Sequence, residues 1–247
     1  MPQIHSISSY QPPYSYSQND AATLLKNLFT DHYADLDRML RVFENGEIES
    51  RQFCVPMEWF EQPHDLEERN RLYIELATSY GSLAVHACLN NSTFLNQPIH
   101  PSEIDGIFFI SSTGFSTPSI DARILNQLPF SDYVKRIPIW GLGCAGGASG
   151  LSRAFEYCLA YPKAKVLILC VELCSLTFQP NDYTKSNLIG ASLFADGVAC
   201  ALVCGDEVEV SSSEPLPSFV ATSSKTMANS EDVMGWNMKN DGLHVVF

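Results

Sequence analysis

The sequence predicts an α/β fold with a largely parallel sheet covered by helices, and three observations carry that expectation. First, 45% of the 247 residues are hydrophobic and only 17% are charged. Such a chain has ample apolar surface for a sizeable core. Second, short apolar runs alternate with helical patterns throughout the second half, which is how strands joined by crossover helices read. Third, residues 66–89 carry one long apolar stripe. Leu72, Tyr73, Leu76, Ala77, Tyr80, Leu83, Ala84, Ala87 and Cys88 recur at a spacing of three to four, so this segment is a helix packed on a core.

The elements follow in order. Residues 3–8 read as a short strand, followed by a Pro-rich loop, QPPYSYSQ. Ser17 is placed to cap a helix beginning near Gln18, with Asp20 in its first turn. A further helix covers roughly residues 33–43 and ends at Asn45-Gly46. After the long helix, IDGIFFISS reads as a strand, with a helix from about Ser119. KRIPIW reads as a strand, with a helix from Ala145. AKVLILCVEL is the next strand, followed by a helical or irregular stretch to Gly190. SLFADGVACALVCG reads as two strands with a turn or bulge at Asp196-Gly197. The tail holds one expected strand in SFVATSSK and a last one in LHVVF. That final run stops at Phe247, which reads as the end of a fragment rather than of a domain. There is no internal repeat.

Bulk chemistry excludes several classes. The net charge of −13 argues for solubility and against a nucleic-acid partner, which would need a basic patch. None of the eight cysteines forms CxxC, and no Cys/His group has zinc-ligand spacing, so no metal site is expected. Several lie inside apolar runs, as buried free thiols do, which implies a reducing cytoplasm. The N-terminus lacks the pattern of a signal peptide, and no run reaches the ~18 apolar residues of a membrane span.

The stretch with most chemistry is IPIWGLGCAGGASGLSRAFEYCLAYP. A strand at 137–140 meets a glycine turn at Gly141 and Gly143. Cys144 follows, then a helix with Leu151, Ala154, Phe155, Cys158 and Leu159 on one face. A thiol is a strong nucleophile only as thiolate, and the unpaired N–H groups and partial positive charge at a helix N-terminus favour that form. Small residues at 145–150 allow close approach of a substrate or a neighbouring element, at a cost in helix propensity. On spacing alone, a structural cysteine at a tight strand–helix junction explains the pattern as well as a nucleophile does.

WGLGCAGGASGL, with SSTGFSTPS before it and SNLIGASLFADGVACALVCG after it, closely resembles the type III polyketide synthases, the chalcone and stilbene synthase family. Within that family, KRIPIWGLGCAGGASG, ELCSLTFQP and SEDVMGW are similar to bacterial, Bacillus-type alkylpyrone synthases. The resemblance implies a thiolase-like fold, of which this chain would be the N-terminal βαβαβαββ half with a mixed, mostly parallel five-stranded sheet. Residues 1–247 would be that half, with the C-terminal half absent.

The resemblance also implies an activity. Cys144 falls on the family nucleophile, which accepts an acyl group from a starter CoA as a thioester. Malonyl-CoA then decarboxylates and condenses with it, giving an alkylpyrone-type polyketide from a long-chain starter. Only CoA thioesters are required, without metal or other cofactor. Phe194 matches a residue that orients malonyl-CoA. Ser112, Thr113, Cys174 and Thr177 match positions lining the acyl cavity, and Thr117 matches one that reaches into the partner's cavity across a homodimer. Arg38 and Arg41 fall near CoA phosphate contacts on a shared helix face, although Asn45 replaces the third basic residue of that cluster.

The family's catalytic His and Asn come from its second half. None of His5, His32, His64, His86, His100 and His244 lies in the corresponding motif, so the chain alone is expected to be inactive. Two other readings compete. One is an initiating ketoacyl synthase of fatty-acid synthesis on the same fold. The other is a non-catalytic split or truncated paralogue, paired with a separate C-terminal chain or serving as a dimerisation partner.

Overall fold

Ser17 and Asp20 define the start of the first helix as a reciprocal pair. The Ser17 Oγ accepts from the Asp20 backbone N–H at 3.1 Å, and the Asp20 carboxylate accepts from the Ser17 backbone N–H at 3.0 Å. In the computed structural model, which describes residues 1–209 and 216–247, the elements run β1 (Gln3–Tyr10), β2 (Tyr14–Ser17), α1 (Gln18–Phe29), α2 (Leu36–Met39), α3 (Arg41–Asn45), β3 (Ser50–Phe53) and α4 (Leu66–Leu89). They continue as β4 (Gly106–Ile110), α5 (Ile120–Leu125), β5 (Lys135–Ile139), α6 (Gly146–Ala160), β6 (Lys165–Leu173), α7 (Lys185–Leu193), β7 (Asp196–Cys204), β8 (Gly235–Lys239) and β9 (Gly242–Val246).

Two compact units result. The first comprises Met1–Tyr10, Ile74–Glu172 and Val198–Thr226. Its five-stranded sheet has the order β1-β7-β6-β4-β5. β4 is parallel to β5 and β6, with Ile110 opposite both Ile139 and Cys170, while β1 is antiparallel to β7. The sheet is therefore mixed, as expected. Every residue of β4 is buried, because it is flanked on both sides and covered by α6. Phe108, Ile110, Ala154, Cys158, Val166, Ile168 and Val203 form this core. Burying each large aliphatic or aromatic side chain there contributes roughly 1.5–3 kcal/mol.

The distance between α6 and the sheet is set by glycine. A Cβ on Gly146 would stand 2.5 Å from Ile110 Cγ2, and one on Gly150 would stand 2.7 Å from Ile110 Cδ1 and 3.0 Å from Ile168 Cγ2. The GGASG run thus offsets its poor helix propensity by letting the helix backbone rest directly on two strands.

The second unit comprises Gln11–Tyr73, Leu173–Gly197 and Met227–Phe247. Its core joins Ala21, Leu25 and Phe29 of α1 to Leu36, Phe43 and Leu188. Two small antiparallel ribbons complete it, β2–β3 and the hairpin β8–β9.

The structure corrects four expectations. The Pro-rich loop contains a strand, β2, paired along its length with β3. The helix expected over 33–43 is two short helices meeting at Leu40. SLFADGVACALVCG is one strand, not two; its first residues end α7, and Phe194 is that helix's C-cap. SFVATSSK is not a strand but a segment with a single bridge, Ser218 to Gln3.

Candidate active site

The C-terminal ends of β4, β5 and β6 gather the polar groups of the first unit. Parallel sheets place their functional groups at this end because the strand-to-helix turns begin there. β5 leads through Trp140 into the turn at Gly141 and Gly143, whose φ values are +86° and +50°. A side chain at either position would strain the backbone, although open space surrounds both. Cys144 stands in the 3-10 turn Gly143–Ala145, immediately before α6. Trp140 braces this turn by donating from Nε1 to the Gly114 carbonyl at 3.2 Å and by packing on Phe115.

Exposure separates Cys144 from the other thiols. It is the exposed one among the eight; Cys170 and Cys174 are half-buried and the other five are buried. Burial pushes Cys158 up to about 12 and Cys170 up to about 11. Burial likewise raises Cys54 and Cys204. Cys88 and Cys200 share a hydrogen bond that lowers the first and raises the second. A reagent in solution therefore meets one accessible thiol, and it lies at the mouth of a helix.

Ser112 and Thr113 follow β4 and are tied to Glu172 near the end of β6. The Ser112 backbone N–H donates to both Glu172 carboxylate oxygens at 3.0 and 3.1 Å, and its Oγ–H donates at 3.0 Å. Thr113 also hydrogen-bonds Glu172. Burial raises the Glu172 carboxyl above its ordinary range, while these bonds hold it down. No local pattern singles out Glu172, because its partner Ser112 is 60 residues away. Thr117 is exposed beyond this group.

Cys174, Thr177 and Phe194 come together in the second unit, lining an apolar pocket with Leu24, Phe53, Phe60, Phe178, Trp236 and Val245. The Phe194 ring packs against Trp236 and Phe247. Beneath this lining, the buried Asp196 accepts from the Cys54 N–H, the Ser175 N–H and the Ser175 hydroxyl. Arg51 secures the end of α7 by donating from Nη1 to the carbonyls of Ala191 and Phe194, with its guanidinium over the rings of Phe43 and Phe53.

The two arginines separate. Arg38 lies on α2 and pairs with Asp35 at 3.2 Å on the surface. Arg41 opens α3 and lines a polar cleft with Gln18, Asn19, Thr23, Lys26 and Glu44. They do not share one continuous helix, so the face expected from their spacing is interrupted at Leu40.

Among the described residues there is no cluster of His, Cys, Asp and Glu that could hold a metal ion, and no helix is long and apolar enough to cross a membrane.

Comparison with known proteins places this arrangement. Residues 13–207 match the N-terminal domain of the chalcone and stilbene synthases. A Bacillus subtilis (strain 168) protein that carries a provisional chalcone synthase name is 51% identical over 246 residues, covering 99% of this chain and 67% of that protein. An alpha-pyrone synthesis polyketide synthase-like protein, Pks18 of Mycobacterium tuberculosis, is 30% identical over 247 residues, covering 97% of this chain and 61% of its own length. The crystal structure of 1,3,6,8-tetrahydroxynaphthalene synthase from Streptomyces coelicolor, a bacterial type III polyketide synthase, superposes with a TM-score of 0.88 at 28% identity, covering 99% of this chain and 67% of that one. The chain thus spans about two thirds of the length of these relatives. Matched over most of its residues in sequence and in fold, it belongs to the chalcone and stilbene synthase family, the type III polyketide synthases, and carries the N-terminal, thiolase-like portion.

Proposed function

We propose that Cys144 is the acyl-carrying nucleophile of a polyketide synthase that takes a long-chain acyl-CoA starter and extends it with malonyl-CoA to an alkylpyrone. The observation that carries this reading is the setting of Cys144. It alone of the eight cysteines is exposed, on a glycine turn at the ends of three parallel strands.

The chemistry is a transthioesterification. The Cys144 thiolate attacks the starter's thioester carbonyl, the new C–S bond forms, and CoA leaves as its thiolate. Malonyl-CoA then loses CO₂, and the carbanion so formed attacks the Cys144 thioester. A C–C bond forms, the Cys144 thiolate is released, and the extended chain remains on CoA. Phe194, at the C-cap of α7 with its ring between Trp236 and Phe247, would orient the malonyl group. Ser112 and Thr113, held by Glu172, would meet the acyl chain in the first unit, and the small residues Cys174 and Thr177 line the apolar pocket of the second. Small side chains in an apolar lining suit a long hydrocarbon starter.

Arg41 in its polar cleft would meet CoA phosphates, with Arg38 contributing after release from Asp35. Condensation would require the catalytic His and Asn of the family's C-terminal half, supplied in cis or in trans. We also propose a homodimer in a cytoplasmic setting. β5 is the sheet's edge strand, and Ile137, Trp140 and Leu142 lie exposed along and beyond it, with Thr117 exposed in the same unit.

Mass spectrometry after incubation with a long-chain acyl-CoA tests the nucleophile. One acyl adduct is expected, on Cys144, and none on Cys144→Ser. Adducts spread over several cysteines, or an undiminished adduct in Cys144→Ser, would remove the basis of the assignment.

A further inference from the structure

Arg51 lies on β3, is 5% exposed, and lines the apolar pocket of the second unit. Its Nη1 is occupied, donating to the carbonyls of Ala191 and Phe194. Its Nε and Nη2 are buried and have no hydrogen-bond partner among the described residues. The rings of Phe43 and Phe53 lie 5.6 and 5.4 Å from the guanidinium carbon, which eases the burial of the charge but takes up no N–H. Burial lowers the group to about 10, and no carboxylate acts on it. The guanidinium is therefore charged at neutral pH. It is a buried cation without a counter-anion among the described residues, which is a costly arrangement.

Which nitrogens are left over matters. A guanidinium is planar, and its Nε–H and one Nη2–H point the same way, side by side. That pair is the edge that meets both oxygens of a carboxylate in two parallel bonds. The bonds to Ala191 and Phe194 use the other nitrogen, so they hold the group in place and leave this fork intact.

The rest of the lining narrows the ligand. Ser175 donates its hydroxyl to Asp196, and Thr177 donates to the Cys174 carbonyl at 2.7 Å. The Asn187 amide donates to the carbonyls of Gln179 and Asp182, both at 2.7 Å. These polar groups are spent inside the protein, whereas Arg51 keeps two donors. Leu24, Leu25, Phe60, Phe178 and Val245 make much of the wall apolar. Such a wall with one convergent cation suits a hydrocarbon body with a single anionic end. A phosphate ester would bring a second negative charge, and the lining holds no second cation to meet it. A carboxylate is the better match.

We propose that this pocket binds a free carboxylic acid with an apolar chain, its carboxylate held in two parallel bonds by Nε and Nη2 of Arg51 and its chain lying among the leucines and phenylalanines. Both nitrogens are closed to solvent, so the carboxylate reaches them with a side-chain shift in the lining. The ligand is not the starter of the proposed acyl transfer, because a thioester carries no carboxylate. The site does not depend on that reaction, since neither Cys144 nor CoA takes part.

Calorimetric titration of the full chain with octanoate and with octan-1-ol tests this at about pH 7.5, where the acid is ionised. Octanoate is expected to bind at least about tenfold more tightly than the alcohol, the margin of hydrogen bonds to a charged group. Arg51→Met should erase that margin and still bind the alcohol. With octanoate labelled at its carboxyl carbon, NMR should show the bound acid titrating at lower pH than the free acid, because the guanidinium favours the charged form. Absence of octanoate binding, equal affinity for acid and alcohol, or an undiminished margin in Arg51→Met would overturn the proposal. Arg51 also holds the end of α7, so the variant may fail to fold. The wild-type comparison and the carboxyl titration then decide the matter, and a bound carboxyl that titrates like the free acid would overturn it.

Discussion

Gly150→Ala places the sharpest demand on the fold that presents Cys144. On an ordinary exposed helix this change stabilises by about 0.5–1 kcal/mol, because Ala is the better helix former. Here the new methyl would stand 2.7 Å from Ile110 Cδ1, 3.0 Å from Ile168 Cγ2 and 3.3 Å from Ile110 Cγ1. Carbon atoms sit comfortably at about 3.5–4.0 Å, so the helix must lift or two side chains must move. Ile110 is 4% exposed and Ile168 is 3% exposed, and they come from adjacent strands, so neither has free space to turn into. Overpacking of this kind costs typically 1–3 kcal/mol. It outweighs the propensity gain, for a net loss of about 0–2 kcal/mol. Urea denaturation followed by far-UV circular dichroism gives the sign. Ile110→Val removes Cδ1, the nearest of the three contacts, so the double variant should recover most of the loss. A Gly150→Ala protein stabilised by the full helix-propensity gain would refute the reasoning, because α6 could not then be resting on β4 and β6.

Two further outcomes follow from the first unit. His5 occupies the bulge between Ile4 and Ser6, is 5% exposed, and has no hydrogen-bond partner for Nδ1 among the described residues. Burial lowers its pKa, so the folded state holds it neutral, and stability is full above the ordinary imidazole value of 6.5. As pH falls below that value the unfolded chain takes the proton first, and stability declines. A His5→Gln variant should lose this part of the pH dependence in urea titrations, and an unaltered slope would count against it. Ile137→Lys should shift the proposed dimer toward monomer in sedimentation velocity, since a charge on the edge strand opposes pairing; a wild-type chain that is monomeric at all concentrations would exclude the dimer through β5.

Local signals account for the parts of the fold that the sequence made legible. The stripe from Leu72 to Cys88 spans α4 over its whole length, and Ser17 with Asp20 marks the start of α1. β4 and β6 are apolar runs, and β5 an extended one around Ile137 and Ile139, each followed by a helical pattern. Where signals conflicted, the reading failed. Short apolar runs do not distinguish strand from helix end, so the sequence predicts a strand through Leu193 and Phe194 where these residues close α7. SFVATSSK has β-branched residues but, among the described residues, bridges a neighbour only at Ser218, opposite Gln3. β2 is masked by its serines and by Pro12 and Pro13 just before it, and it exists because β3 is there to pair with it. The hairpin had a usable signal: Asn240-Asp241, two turn-favouring residues, sits between two runs, with Gly242 opening β9 opposite Lys239.

The candidate site divides along the same line. The turn that presents Cys144 could be read from its flanks because glycines, strand and helix are all within a few residues of it, while the role of the thiol came from the family resemblance. Glu172 and His244 could not, because what gives each its chemistry lies 60 and 62 residues away. Their identities alone say little, for a glutamate ending a strand and a histidine in a ribbon are ordinary. Proximity converts them, one into the anchor of Ser112 and the other into a bridge between two carboxylates. The setting of the proposed nucleophile is therefore a property of a segment, whereas its surroundings are a property of the fold. It follows that variants at Gly141, Gly143 or Cys144 should act on thiol reactivity directly. A Glu172→Gln variant should leave the reactivity of Cys144 toward a small alkylating reagent intact, and change which larger molecules the protein admits.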